Sequence, residues 1–304
     1  MPIDDPIEDD SCGCMYRARM TELTITVPGG RLFAIDEGSP GHPPVVLLHA
    51  GIAELRSWDD CVPPLLAAGY RVVRFDQRGY GRTVTEDVEY AGHDDVVAVL
   101  DALHIGRAAL VGNSMGGSMA FDTAIAAPSR VVAVVGVGAG LGGFEVPSTD
   151  EEEALFLQME AVEAAWEGSS GADRTTHLEH LLDLETRFWM DGPGQPTDRL
   201  PAILRERLTA WNRAHYADDR VQGRRIRLDP PAADRLHELG CPILAIAGDL
   251  DVSDVAAAAD HLAAHAPDAR AVHLPGVAHM IGMEVPDTLA SLVIDFLAPL
   301  PRWA

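Results

Sequence analysis

Ala108 to Gly117 reads AALVGNSMGG: an apolar run of strand character passes directly into Gly112-Asn113-Ser114-Met115-Gly116 and then into a helical pattern. The pentad fits G-x-S-x-G, and its setting between strand and helix matters more than its letters. A strand that turns sharply into a helix holds the central serine in a strained conformation with Oγ projecting. Gly112 and Gly116 leave out side chains that would collide across such a turn. The start of the helix also aims backbone N–H groups and the positive end of its dipole at the same spot. Ser114 is therefore the candidate nucleophile.

The rhythm on either side is regular. Val45 to His49 and Arg71 to Asp76 are short apolar runs of the kind that fit strands buried on both faces. A helix is predicted around Trp58 to Ala68, another over Asp94 to Leu103, and a third over Met115 to Ala127, ended by Pro128. Val131 to Val137 is the next strand. Before all of these, residues 21–38 read as a hairpin around Pro28-Gly29-Gly30. Strand and helix in alternation predict parallel βαβ units and a doubly wound, mostly parallel α/β sheet. From 141 to 235 no strand-like run appears, and three of the five Trp (Trp166, Trp189, Trp211) fall there, so this stretch reads as an inserted helical cap. Pro242 to Ala247 and Ala271 to Leu274 restore the strand pattern, and a helix over Pro286 to Leu297 closes the chain. The core is thus expected at 21–140 and 236–304, behind a disordered acidic extension at 1–20.

Composition excludes several chemistries. The 23 basic residues are all Arg, against 47 Asp and Glu. Without Lys there is no Schiff base, no pyridoxal phosphate anchor and no Walker-type phosphate loop. A formal charge of −24 repels phosphate backbones and anionic lipid, so neither nucleic acid nor a membrane surface is an expected partner. The acidic N-terminus has no secretory pattern, and no apolar run is long enough to span a bilayer. Cys12, Cys14, Cys61 and Cys241 have no metal-ligand spacing and are read as free thiols in a reducing cytoplasm.

A serine hydroxyl needs a base to take its proton, and an imidazole needs a carboxylate to fix its tautomer. In this light four further segments gain meaning, and together with the pentad they resemble the α/β-hydrolase superfamily over about residues 21–140 and 236–300. Leu47-Leu48-His49-Ala50-Gly51-Ile52 resembles its His-Gly loop, and Asp76-Gln77-Arg78-Gly79-Tyr80-Gly81-Arg82 its D-x-R-G-x-G segment. Gly248-Asp249-Leu250-Asp251 resembles its acid loop, and Pro275-Gly276-Val277-Ala278-His279 its closing histidine loop. The order serine, acid, histidine is that of the fold. The resemblance implies Ser114 as nucleophile, Asp251 as acid, with Asp249 and Asp254 as rivals, and His279 as base. It also implies an oxyanion hole from the N–H of Met115 and of Gly51, or alternatively Ile52, because Ala50 replaces the usual first Gly.

His49 is read as orienting the loop backbone and as a pocket candidate, together with Trp166, Trp189 and Trp211. Arg78 and Arg82 are either clamps for an anionic substrate or structural ion pairs. His261 and His265, four apart on a helix, are read as a surface face rather than a metal pair. The implied reaction is hydrolysis of a small-molecule carboxylic ester or lactone without metal or organic cofactor. The alternatives are a cofactor-free haloperoxidase or perhydrolase, a C–C bond hydrolase, and a non-catalytic binding member of the fold. Asp in place of Ser114 would have indicated epoxide hydrolase or haloalkane dehalogenase.

Overall fold

The structure, a computed structural model, describes residues 20–217 and 220–303. The acidic extension, apart from Met20, and with it Cys12 and Cys14, lies outside the described residues. Met20–Val27 (β1) and Gly30–Glu37 (β2) form the antiparallel hairpin. They are followed by Pro44–Leu48 (β3), a 3-10 turn at Leu55–Trp58, Val62–Ala67 (α1) and Arg71–Phe75 (β4). Val84–Thr85 (β5) and Glu89–Ala91 (β6) are short. Gly92–Ala102 (α2), Ala108–Asn113 (β7), Met115–Ala126 (α3) and Val131–Val137 (β8) complete the first half.

The sheet order is β1-β2-β4-β3-β7-β8, continued by Ile243–Gly248 (β10) and Ala269–Leu274 (β11). Everything from β4 to β11 in this order is parallel, while the hairpin joins antiparallel at one edge. Alternation along each strand explains the uninterrupted apolar runs. Val45, Leu47, Val72, Val111 and Val135 face one side, where Trp58, Leu65, Val293 and Phe296 cover them. Val46, Leu48, Val73 and Leu110 face the other, under Val96, Val99, Met119 and Phe121. A strand covered on both faces has no polar phase to show.

Between β8 and β10 lie Asp150–Glu167 (α4), Gly171–Thr186 (α5), a π-turn at Arg187–Asp191 and Ala202–His215 (α6). The expectation that this stretch holds no strand is corrected: Arg224–Ile226 (β9) pairs in parallel with β6. Two Arg in a three-residue, half-exposed edge strand leave no apolar signature to read. A buried carboxylate ties the stretch to the core. Glu152 closes a capping box with Thr149 at the start of α4 and accepts from both the N–H and Oγ of Ser253 at 2.6 Å. Ser253 opens Ser253–His265 (α7); Ile281–Glu284 (α8) and Pro286–Leu297 (α9) follow β11. No helix among the described residues is long and apolar enough to cross a membrane.

Candidate active site

The parallel strands deliver the predicted residues to one edge. Ser114 follows β7, Asp251 follows β10, His279 follows β11 and loop 49–52 follows β3, all at the C-terminal ends where open α/β sheets place their ligand sites. Ser114 sits at φ +52°, ψ −116°, a conformation that costs a non-glycine residue about 1–3 kcal/mol and is held by its surroundings. Its N–H donates to the Val137 carbonyl at 2.9 Å, and its carbonyl accepts from Ser118 N–H at 3.0 Å. Close approach explains the glycines: a Cβ on Gly112 would lie 2.2 Å from the Gly116 carbonyl oxygen, and one on Gly116 would lie 2.3 Å from that of Leu48.

His279 and Asp251 meet almost wholly out of solvent. The ring Nδ1 is 2.9 Å from both carboxylate oxygens, and the side chains are 3% and 1% exposed. With the Nδ1 proton donated to Asp251, the lone pair of Nε2 is left free to act as a base. Val252 N–H donates to Asp251 Oδ1 at 2.7 Å and fixes the carboxylate in turn. The rival acids are engaged elsewhere: Asp249 accepts from Gly276 N–H at 2.5 Å and Asp254 from Val146 N–H at 3.2 Å. Ser114 and His279 line the same cavity of about 620 Å³, without a hydrogen bond between them. Such bonds often tighten only when substrate is present.

The loop after β3 is held by His49. Its Nδ1 proton goes to the Ala50 carbonyl at 2.8 Å, its Nε2 accepts from Gln77 N–H at 2.9 Å, and Gln77 Nε2 donates to the His49 carbonyl. The ring is fully buried against the edge of Tyr80, and burial lowers its pKa to about 4. His49 therefore orients the loop, as its sequence position suggested, and does not line the cavity as a substrate contact. Gly51 packs beside Met115. The N–H groups of Gly51 and Ile52 donate no hydrogen bond among the described residues, and that of Met115, the first helical residue, has no intrahelical acceptor. These are the donors an oxyanion would require.

Of the three Trp, the structure brings one to the site. Trp189, on the π-turn, lies 4.6 Å from the His279 ring and lines the cavity. Trp166 packs on Tyr216 beside a separate polar cavity of about 340 Å³, and Trp211 lies under Arg56 and Arg207. Arg78 forms a buried two-point ion pair with Asp95, and Arg82 pairs with Glu22 over the Phe33 ring, so neither clamps a substrate. The His261 and His265 rings stack, with no third metal ligand beside them among the described residues.

Sequence reasoning missed Asn113, whose amide donates to the carbonyls of Val137 and His279 and so ties the serine turn to the histidine loop. It also missed Arg199. That guanidinium donates to the carbonyls of Met190, Asp191 and Gly276 and pairs with Glu284, which accepts from Ala278 N–H. Partners as distant in sequence as Gly276 and Glu284 leave no local signal.

Comparison with known proteins agrees with this architecture. The profile of the α/β-hydrolase fold matches residues 43–286. Rhodomycin D methylesterase DnrP of Streptomyces peucetius is 29% identical over 285 residues, spanning 84% of this chain and 91% of its own. A 2-hydroxy-6-oxononadienedioate/2-hydroxy-6-oxononatrienedioate hydrolase of Cupriavidus pinatubonensis is 29% identical over 91% of this chain and 95% of its own. Carboxylesterase CesB (YbfK) of Bacillus subtilis superposes with a TM-score of 0.69 at 17% identity, covering 92% of each chain. With its serine turn, acid loop and histidine loop set at one sheet edge, the chain belongs to the α/β-hydrolase fold family.

Proposed function

We propose that this protein is a serine hydrolase that cleaves a small-molecule carboxylic ester or lactone by two-step acyl transfer. Ser114 attacks the carbonyl while His279 takes its proton. Asp251 holds the ring tautomer and stabilises the imidazolium. The N–H of Met115 with that of Gly51 or Ile52 receives the developing oxyanion; each such donor is worth about 2.7–4 kcal/mol in the barrier. His279 then returns the proton to the leaving alcohol, and water, activated by the same ring, releases the acyl group. The stretch at 141–235 caps the site through Trp189. The observation that carries the proposal is the buried Asp251–His279 pair opening on the cavity that Ser114 enters at positive φ. The methylesterase relative supports ester chemistry. The free thiols of Cys61 and Cys241 agree with a reducing compartment.

Hydrolysis of short-chain p-nitrophenyl esters tests it. Activity should fall by roughly 10⁴-fold or more in Ser114→Ala, and a fluorophosphonate should label Ser114 covalently. A Ser114→Ala protein as active as the wild type would remove the nucleophile. An unlabelled Ser114 would favour a binding protein.

A further inference from the structure

The cavity is much longer than a carbonyl and its oxyanion need. Its floor is one stripe of α3: Ser114, then Ser118 one turn on, then Asp122 after a second turn. Eight residues of helix put the far end about 12 Å from the nucleophile. There β9 and the residue after it contribute Arg225 and Arg227 to the lining. The Nε of Arg225 is buried without a hydrogen-bond partner, and its Nη2 lies 3.9 Å from Asp122 Oδ2. Arg227 makes no side-chain hydrogen bond or ion pair among the described residues. Arg235 stands nearby but is occupied by Glu238 through two bonds of 2.8 Å.

A buried donor left unpaired costs about 1–3 kcal/mol, so an Nε–H kept in that state at the end of a cavity calls for an explanation. The setting narrows what would satisfy it. In a chain of net charge −24, this end of the cavity gathers two guanidiniums around one carboxylate, Asp122, on which both act. The other acids that line the cavity are Glu145, and Asp254, which already accepts from Val146 N–H. A guanidinium fork matches a carboxylate in two-point geometry, better than it matches an uncharged group.

We infer that Arg225, assisted by Arg227, forms a subsite for a carboxylate at the end of the substrate distal to the scissile carbonyl. The substrate class is then an elongated half-ester, or a lactone bearing an acidic tail, rather than a neutral fatty ester. Placing the reacting end at Ser114 rests on the proposed hydrolase function; the subsite itself is tested without turnover.

The Ser114→Ala protein is titrated calorimetrically with monomethyl suberate and with dimethyl suberate, and the adipate and sebacate pairs vary the length. At the best length the half-ester should bind at least about tenfold tighter than the diester. Arg225→Met in the same background should abolish that preference, and Arg227→Met, a change at an exposed side chain, should reduce it. Equal binding of half-ester and diester at every length overturns the inference, as does a preference that survives in the double variant. If the half-ester binds through Arg225 yet the wild type does not cleave it, the subsite stands and the ester hydrolase function falls.

Discussion

The proton on His49 has one place to be. Gln77 N–H points at Nε2, so only Nδ1 can carry a proton, and charging the ring would turn a hydrogen bond into two opposed donors. Burial holds its pKa near 4, against 6.5 in the unfolded chain. A depressed His contributes stability that is present above pH 6.5 and is lost as pH falls toward 4, by about 3 kcal/mol at most. Asp76, which accepts from Leu55 and Arg82 N–H, behaves oppositely. Burial raises its carboxyl to about 6, so its ionisation weakens the fold as pH rises from 3.8 through 6. The two nearly cancel between pH 4 and 6 in the wild type. In His49→Gln the destabilisation relative to wild type should therefore be larger at pH 7.5 than at pH 4.5, as read from urea midpoints. A pH-independent difference contradicts the assignment. At the acid loop, Asp251→Asn should lower kcat on the order of 10⁴-fold by allowing the wrong tautomer. Asp249→Asn, which weakens one hydrogen bond to Gly276, should stay within about tenfold of wild type. The reverse outcome moves the acid to Asp249.

At the scale of elements, the histidine loop and the π-turn are held as one unit. Arg199 donates to three carbonyls, two on the π-turn that presents Trp189 and one on the loop that presents His279, and Glu284 holds the same loop from within α8. Removing the guanidinium in Arg199→Met should lower kcat by about 10- to 100-fold, the scale of an ångström-size misplacement, with a smaller change in KM. Arg199→Lys keeps the charge without the fork and should recover only part of the rate. Unaltered kcat in Arg199→Met would separate the π-turn from the chemistry. The strands were legible because their cover on both faces leaves uninterrupted apolar runs, and the loops that follow them pointed to Ser114, Asp251 and His279 through motifs that resemble those of the α/β-hydrolase superfamily. The stretch from 141 to 235 was not legible in the same way. Trp166, Trp189 and Trp211 are equivalent as letters, and only a π-turn puts the second against His279. Arg225 sits in, and Arg227 just after, a strand too short and too polar to show, and their place beside the cavity depends on pairing with β6 more than 130 residues earlier.

Across the whole molecule, charge is the strongest long-range influence. A chain of 304 residues with 47 acids and 23 Arg repels itself when folded, and no Lys dilutes the contrast between its surface and its few arginine clusters. The ion pairs that hold the sheet edge are little exposed, Arg78 with Asp95 at 3% and 5%, Arg71 with Asp36 at 9% and 18%. Salt screens pairs of this kind weakly, whereas it screens exposed like charges strongly; the Debye length shrinks from about 30 Å at 0.01 M to about 3 Å at 1 M. Attraction inside should thus persist while repulsion outside fades. The thermal midpoint is expected to rise by several degrees between about 10 mM and 0.5 M NaCl, most steeply at the low end where screening changes most. The same screening should weaken capture of a carboxylate tail by the Arg225 end of the cavity, so half-ester affinity should fall over the range in which stability rises. A midpoint that stays flat or drops with NaCl would mean that exposed ion pairs outweigh the net repulsion.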